Sequence, residues 1–139
     1  MFGVFLILVC VNNYIQAQDK MILLSKNKID SLAEENNLTA AIDEYRQLQE
    51  IDTLKANQYL EIASFHSQTK QNDSAFFYLD KVLISDSSFS DLSAIYKSTF
   101  YFTVDDSRWN DWILKVMDNY SENINPIIHF DYSKALINI

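Results

Sequence analysis

The chain of 139 residues contains one glycine and one proline. The tight turns of β-hairpins need residues that accept a positive φ, and glycine is the usual choice. A hairpin-rich β architecture is therefore nearly excluded, and an all-α fold is expected. The shortage of glycine also excludes a Gly-rich phosphate loop, and no nucleophile elbow is present.

Clustered basic residues are also lacking. The net charge is −8, and Lys and Arg form no run along the chain. Nucleic-acid binding needs a basic face that displaces counterions from phosphates, and anionic membrane surfaces attract polybasic segments. We therefore expect neither nucleic acid nor a membrane surface as a partner. The acidic balance favours solubility.

Residues that could form a catalytic or metal site are few. The two histidines, His66 and His129, have no cysteine or further histidine at metal-ligand spacing. Paired acids such as Asp105 and Asp106 stand at a predicted helix start, where capping is their ordinary role, and no calcium-loop pattern surrounds them. The sequence predicts no enzyme activity, no cofactor and no metal, with His66 as a packed, hydrogen-bonded side chain.

The N-terminal segment has the pattern of a secretory signal. The stretch 1–18 carries no charged side chain, and Phe2 to Val11 is an apolar run with one glycine. A membrane span needs about 20 such residues, whereas this run fits the apolar core of a signal peptide. Ala17 suits the position before cleavage, so residues 1–17 are expected to leave and Gln18 to begin the mature chain. The alternative is a short buried helix.

Cleavage there would give an exported protein, periplasmic or extracellular, with no stable membrane span. It would also remove Cys10, the only cysteine, so the mature fold would have no disulfide. The Ala-Gln ending resembles the signal peptides of Bacteroidota bacteria.

Apolar residues recur at three- and four-residue intervals, which predicts helices separated by short connections. The expected helices cover about 20–35, 39–51, 54–70, 73–85, 90–99, 107–120 and 126–138, the last one with Pro126 at its first position. Polar residues that can accept hydrogen bonds from first-turn amides precede these runs. These predicted caps are Thr39, Thr53, Asp73, Ser90, and Asp106 or Ser107.

Two stretches of the chain align without a gap at a constant 34-residue offset. The matched pairs are Ala41 and Ala75, Tyr45 and Leu79, Leu48 and Val82, Asp52 and Asp86, and Thr53 and Ser87. A 34-residue period of paired helices is the spacing of the tetratricopeptide repeat, whose units stack because none buries its apolar face alone.

Residues 56–87 resemble one such repeat position by position. The matching residues are Tyr59, Ile62, Ala63, Ala75, Leu79, Val82 and Asp86. His66 departs from the usual aromatic and Ser87 from the terminal proline, and the turn at 70–72 lacks glycine. The preceding unit is degenerate, with Lys28 where an aliphatic residue is expected. The resemblance implies a right-handed solenoid of antiparallel hairpins, with two repeats over 18–88 and a C-terminal helical cap within 89–139.

The resemblance also implies a non-catalytic protein-binding module. By the repeat's numbering, a concave groove would be lined by Asn57, Leu60, Ser64, Ser67 and Gln68. These neutral side chains suit a protein or an extended peptide held through its backbone. The Lys/Asn clamp for a C-terminal carboxylate is absent. An unstacked terminal repeat would also allow a homodimer.

Two other functions stay open at this point. The run from Phe100 to Trp109 resembles a segment that follows such repeats in exported Bacteroidota proteins, often before a further domain. The chain would then be the helical front of a larger enzyme or sensor. Alternatively, Trp109 and Trp112 would form an exposed platform for carbohydrate, although an aromatic cap on the repeats is the favoured interpretation.

Overall fold

The computed structural model describes residues 2–100 and 103–124. These residues form helices joined by short connections and contain no strand, so the predicted all-α class is confirmed. The helices are α1 (Phe2–Glu34), α2 (Leu38–Gln49), α3 (Ala56–Gln68), α4 (Asn72–Ser85), α5 (Leu92–Lys97) and α6 (Ser107–Ile124). The helix expected over 126–138 lies outside the described residues.

The chain divides into an N-terminal unit, Met1–Leu54, and a C-terminal unit, Lys55–Ile139. In the N-terminal unit, α2 runs antiparallel to the second half of α1. Gln18 donates from Nε2 to the Ile51 carbonyl at 2.8 Å, at the end of the hairpin opposite its connecting turn. The buried apolar side chains of this unit include Ile29, Ala41 and Leu48.

The C-terminal unit contains one hydrophobic core shared by four helices. Its buried members are Leu60, Ala63, Phe76, Leu79, Val82, Phe89, Ile95, Phe100, Trp112 and Val116. After the α3–α4 hairpin, α6 lies along α4 in the same direction, because Arg108 bonds to Asp73 near the start of α4 and Asn119 bonds to Ser87 beyond its end. The segment after residue 89 therefore packs directly on the preceding hairpin.

The repeat offset is visible in the helices themselves. The second helix of one hairpin begins at Leu38 and that of the next at Asn72, which is one full period later. Helix α6 begins at Ser107, a single residue beyond the next period. Ala41 and Ala75 are both fully buried. The small residues of the aligned pairs thus occupy closely packed positions, as the alignment requires.

The turns that end α1 and α3 have the same conformation. Asn36 and Lys70, which are again one period apart, have φ values of 57° and 60°. The next amide in each turn bonds five residues back: Asn37 to the Leu32 carbonyl at 2.8 Å, and Gln71 to the His66 carbonyl at 2.9 Å. This is the helix-ending turn that glycine usually makes, so a side chain at Lys70 costs about 1–2 kcal/mol of local strain.

Helix starts differ from the sequence-based expectation. Asp106 is confirmed as a cap, since its Oδ1 accepts from the Arg108 amide at 3.1 Å. In α5 the acceptor is Asp91, which bonds to the Ala94 amide at 2.9 Å. The other predicted caps, Thr39, Thr53, Asp73 and Ser90, are wrong. The left-handed turns lead directly into α2 and α4, which therefore begin one residue before Thr39 and Asp73.

The first helix begins far earlier than expected, at Phe2 instead of about residue 20. No proline interrupts the apolar run, and the polar residues that follow it continue the helix. Residues 10–17 of this extension are all exposed. No helix in the described part of the chain has the length and apolarity that a bilayer crossing requires.

Candidate partner-binding surface

Helix α3 carries all five residues predicted to line a groove, and the structure separates them into two groups. Asn57 is exposed and Gln68 is half-buried. In contrast, Leu60 is 2 %, Ser64 4 % and Ser67 0 % exposed. Only Asn57 and Gln68 are within reach of a partner in this structure, so an open groove lined by all five is not what the fold presents.

Packing explains why the three buried residues are not available. Leu60 belongs to the hydrophobic core of the C-terminal unit. The Ser64 hydroxyl donates to the Glu61 carbonyl at 2.8 Å, which satisfies it within its own helix. The Ser67 hydroxyl is buried without a hydrogen-bond partner. Helix periodicity assigns residues to a face, but whether that face is covered depends on tertiary packing.

His66 lies in an aromatic stack between α3 and α4. The Tyr78 ring lies 5.3 Å from the His66 ring, at 12° between the planes, and 6.3 Å from the Tyr59 ring. His66 Nδ1 is 2.9 Å from Gln71 Oε1, and the side chain is 2 % exposed. The prediction of a packed, hydrogen-bonded histidine is therefore confirmed. In the alignment with the tetratricopeptide pattern, His66 stands where an aromatic residue is expected.

The N-terminal unit has a polar cluster at the equivalent positions. One period before Tyr59, Ile62 and Tyr78 stand Ser25, Lys28 and Glu44. Glu44 accepts from Lys28 at 2.6 Å and from Ser25 at 3.0 Å, and its own side chain is only 7 % exposed.

The Lys28 bond is the main reason that the pKa of Glu44 is lowered, with burial acting in the opposite direction. Lys28 stands where the tetratricopeptide pattern has an aliphatic residue. Its positive charge is balanced by Glu44 on the facing helix. The α1–α2 hairpin therefore joins its helices through the Lys28–Glu44 ion pair. At the equivalent positions, the α3–α4 hairpin has the ring contacts of Tyr78.

Arg108, near the start of α6, contacts residues near the start of α4. Its guanidinium carbon lies 4.2 Å from the centre of the Phe76 ring, and Nη2 bonds to Asp73 at 3.0 Å and to Asp106 at 2.7 Å. The Arg108 side chain and backbone amide lower the pKa of Asp106 to about 2, while the two acids raise the pKa of Arg108. The exposed Arg108–Asp73 pair links the starts of α6 and α4, and Asp106 acts as cap and counter-ion.

The aromatic group predicted near Trp109 packs inside the C-terminal unit. Trp109 lies 5.1 Å from Phe100 and 5.7 Å from Trp112, measured between ring centres. Trp112 is 3 % exposed, and its indole N–H donates to the Leu79 carbonyl at 2.9 Å. Phe102, also part of the predicted group, lies outside the described residues. Trp112 presents no free face to a sugar, so the two tryptophans do not form an exposed platform.

Comparisons with known proteins complete this description. No protein-family model, curated protein or solved structure matches the chain. Among the described residues, no group of three or more His, Cys, Asp or Glu side chains is arranged to hold a metal ion. The features that indicate function are therefore the repeated hairpins and the residues that they leave accessible.

Proposed function

We propose that the chain is a non-catalytic protein-interaction module of the tetratricopeptide-repeat type, exported to the bacterial envelope. The supporting observation is that two hairpins one period apart share the same helix-ending turn, with Asn36 and Lys70 in the left-handed conformation, and the same buried alanine. Repeats of this kind stack into solenoids whose surfaces bind other proteins. The link to binding rests on this architecture.

The accessible polar residues of α3 suit an extended peptide. Asn57 and Gln68 are eleven positions apart on one helix, which places them about 16 Å apart along its axis at about 1.5 Å per residue. An extended chain covers that distance with about five residues. Both side chains are amides that donate and accept, as backbone recognition requires. We therefore assign the peptide contact to Asn57 and Gln68.

The N-terminal extension of α1 supports removal of residues 1–17. Residues 10–17 are exposed, whereas Gln18, the next residue, is partly buried, with its side chain bonded to Ile51. The residue that signal cleavage would leave first is thus bonded to the segment that follows α2. Loss of the segment 10–17 would remove no buried side chain.

Export has a direct test in the mass of the native protein. When the full chain is expressed in a Bacteroidota host and purified from its envelope fraction, we expect the intact mass of a protein that begins at Gln18. An Ala17→Arg variant, which spoils the residue before the cut, should retain residues 1–17. A wild-type chain that stays in the cytoplasm with residues 1–17 still attached would refute export.

The binding surface is tested by comparing variants of the mature chain as bait for envelope extracts. Asn57→Ala/Gln68→Ala should retain its helical spectrum but capture its main partner about tenfold more weakly, because two intermolecular hydrogen bonds are lost. Gln47→Ala, at an exposed position of α2, is the matched control and should bind as wild type.

A peptide array of the captured protein then identifies the bound segment, which we expect to be an extended stretch of about five residues. Equal capture by the double variant and wild type would exclude this surface of α3. Binding only to the folded partner, with no peptide retained, would exclude the extended-peptide mode.

A further inference from the structure

Helix α4 carries two large apolar side chains on the side that faces away from the core. Phe77 is 57 % and Ile84 74 % exposed, whereas Leu79, on the other side of the helix, is fully buried. Between Phe77 and Ile84 in the chain, Asp80 is exposed and Lys81 is half-buried. Phe77, Asp80, Lys81 and Ile84 form what we call the α4 outer face. They follow one another at intervals of three, one and three residues, so they share one side of the helix.

The repeat offset shows that the fold does not require apolar residues at these two positions. One period before and one period after Phe77 and Ile84, the corresponding residues are exposed acids, namely Asp43, Glu50, Asp111 and Asp118. Only the copy in α4 replaces both acids by large apolar side chains. An exposed apolar pair at positions that are otherwise acidic indicates a surface that meets another molecule.

The centre of the α4 outer face carries two opposite charges. Within the described part of the chain, neither Asp80 nor Lys81 forms an ion pair. The Lys81 Nζ atom lies 5.4 Å from the centre of the Phe77 ring. Both charges are therefore available to a molecule that covers this face.

The order of the four residues is self-complementary. Two α4 helices can lie antiparallel about a two-fold axis that passes between residues 80 and 81. Phe77 of each copy then faces Ile84 of the other copy. In the same arrangement Asp80 of each copy faces Lys81 of the other, so two apolar contacts and two opposite-charge pairs form together. A parallel arrangement would instead place like charges against each other.

We propose that the chain forms a two-fold symmetric dimer in which the α4 outer faces of two copies pack antiparallel. The inference goes beyond the proposed binding function and does not depend on it. The surface also differs from the unstacked repeat end through which the sequence would allow a homodimer. Because each copy contributes only one helix face, the interface is small and the dimer is reversible.

Sedimentation velocity of the full chain measures this association. Wild type should be mostly dimer at about 100 µM and mostly monomer at about 1 µM, as expected for a small interface. Phe77→Asp/Ile84→Asp gives α4 the acids that α6 has one period later. This variant should stay monomeric at the higher concentration and keep its helical circular dichroism spectrum. Tyr96→Asp, at an exposed aromatic residue of α5, is the matched control and should dimerise as wild type.

Charge exchange tests the antiparallel arrangement itself. Asp80→Lys and Lys81→Asp should each raise the dissociation constant about tenfold or more, because like charges then face each other across the axis. An equal mixture of these two variants should regain the wild-type dissociation constant, since every lysine of one chain faces an aspartate of the other. Asp80→Lys/Lys81→Asp should regain it without mixing. Asp111→Lys, at an exposed acid of α6, controls for the change in net charge.

Several outcomes would overturn the proposal. A wild-type chain that stays monomeric at the higher concentration would mean that a second copy does not cover the face. A dimer that persists in Phe77→Asp/Ile84→Asp would identify another surface, such as the repeat end. Single charge variants that dimerise as wild type, or a mixture that does not regain dimerisation, would exclude the antiparallel contact. Should Phe77→Asp/Ile84→Asp fail to fold, the variants of Asp80 and Lys81 decide alone.

Discussion

Trp112→Ala is expected to lower the free energy of unfolding of the C-terminal unit by about 3–5 kcal/mol. The indole is buried against the core of this unit and donates to the Leu79 carbonyl. Its removal leaves a large cavity and takes away one hydrogen bond of the Leu79 carbonyl, which lies inside α4 and keeps its helical donor. Trp112→Phe separates the two effects, because it keeps most of the volume and should cost about 0.5–1.5 kcal/mol through the lost hydrogen bond. Urea denaturation followed by far-ultraviolet circular dichroism measures both values.

Trp109→Ala is the control for this prediction. Trp109 is half-buried and packs against Trp112 with the ring planes tilted by 32°, without a buried hydrogen bond of its own among the contacts described. Its replacement should therefore cost clearly less than that of Trp112. Equal losses for the two variants would mean that the aromatic group acts as a surface cluster, and that Trp112 does not anchor α6 to α4.

Lys28→Ile is expected to destabilise the N-terminal unit by about 1–3 kcal/mol, although it restores the aliphatic residue of the repeat pattern. The change leaves the Glu44 carboxylate buried without its cation. Lys28 is 60 % exposed, and solvent screening places the loss in the lower part of this range. Adding Glu44→Tyr reproduces the Ile62 and Tyr78 pair of the other hairpin, and the double variant should regain wild-type stability or exceed it.

The same pair gives a pH dependence with a defined sign. The pKa of Glu44 in the folded chain lies below 4.5, so its ionised form stabilises the fold at higher pH. This contribution is complete above about 4.5 and is lost as the pH falls through the lowered value. Melting temperatures measured from pH 6 to pH 3 should fall less steeply for Lys28→Ile/Glu44→Tyr than for wild type. An equally steep fall of the melting temperature in wild type and the double variant would contradict a stabilising ion pair. A double variant as unstable as Lys28→Ile would contradict it as well.

The fold class and the repeat offset were predictable because they depend on local signals. The scarcity of glycine and proline and the three- and four-residue spacing indicated helices, and the repeat offset placed Ala41 and Ala75 at buried positions. The caps were not predictable in the same way. Thr39 and Asp73 have suitable side chains, but the backbone at Asn36 and Lys70 determines where α2 and α4 begin.

The candidate surface was predictable only in part. The numbering of the tetratricopeptide repeat assigns Leu60, Ser64 and Ser67 to one side of α3. It contains no information on which parts of the fold pack against that side. Their burial is a tertiary property. The Lys28–Glu44 pair had a signal that could have been found: an unexpected lysine on one helix, and an acid on the next helix at the position one period before Tyr78. Matching departures from a repeat pattern across facing helices would have suggested it.

The three-residue connections 35–37 and 69–71 have a kinetic consequence. Each joins two helices that pack on each other, so the loop to be closed is short and its entropic cost is small. Topologies built from such near-neighbour pairings fold quickly, typically within milliseconds. The two helices of a hairpin can therefore meet while later parts of the chain are still being synthesised, and stable burial follows when a neighbouring element packs on them.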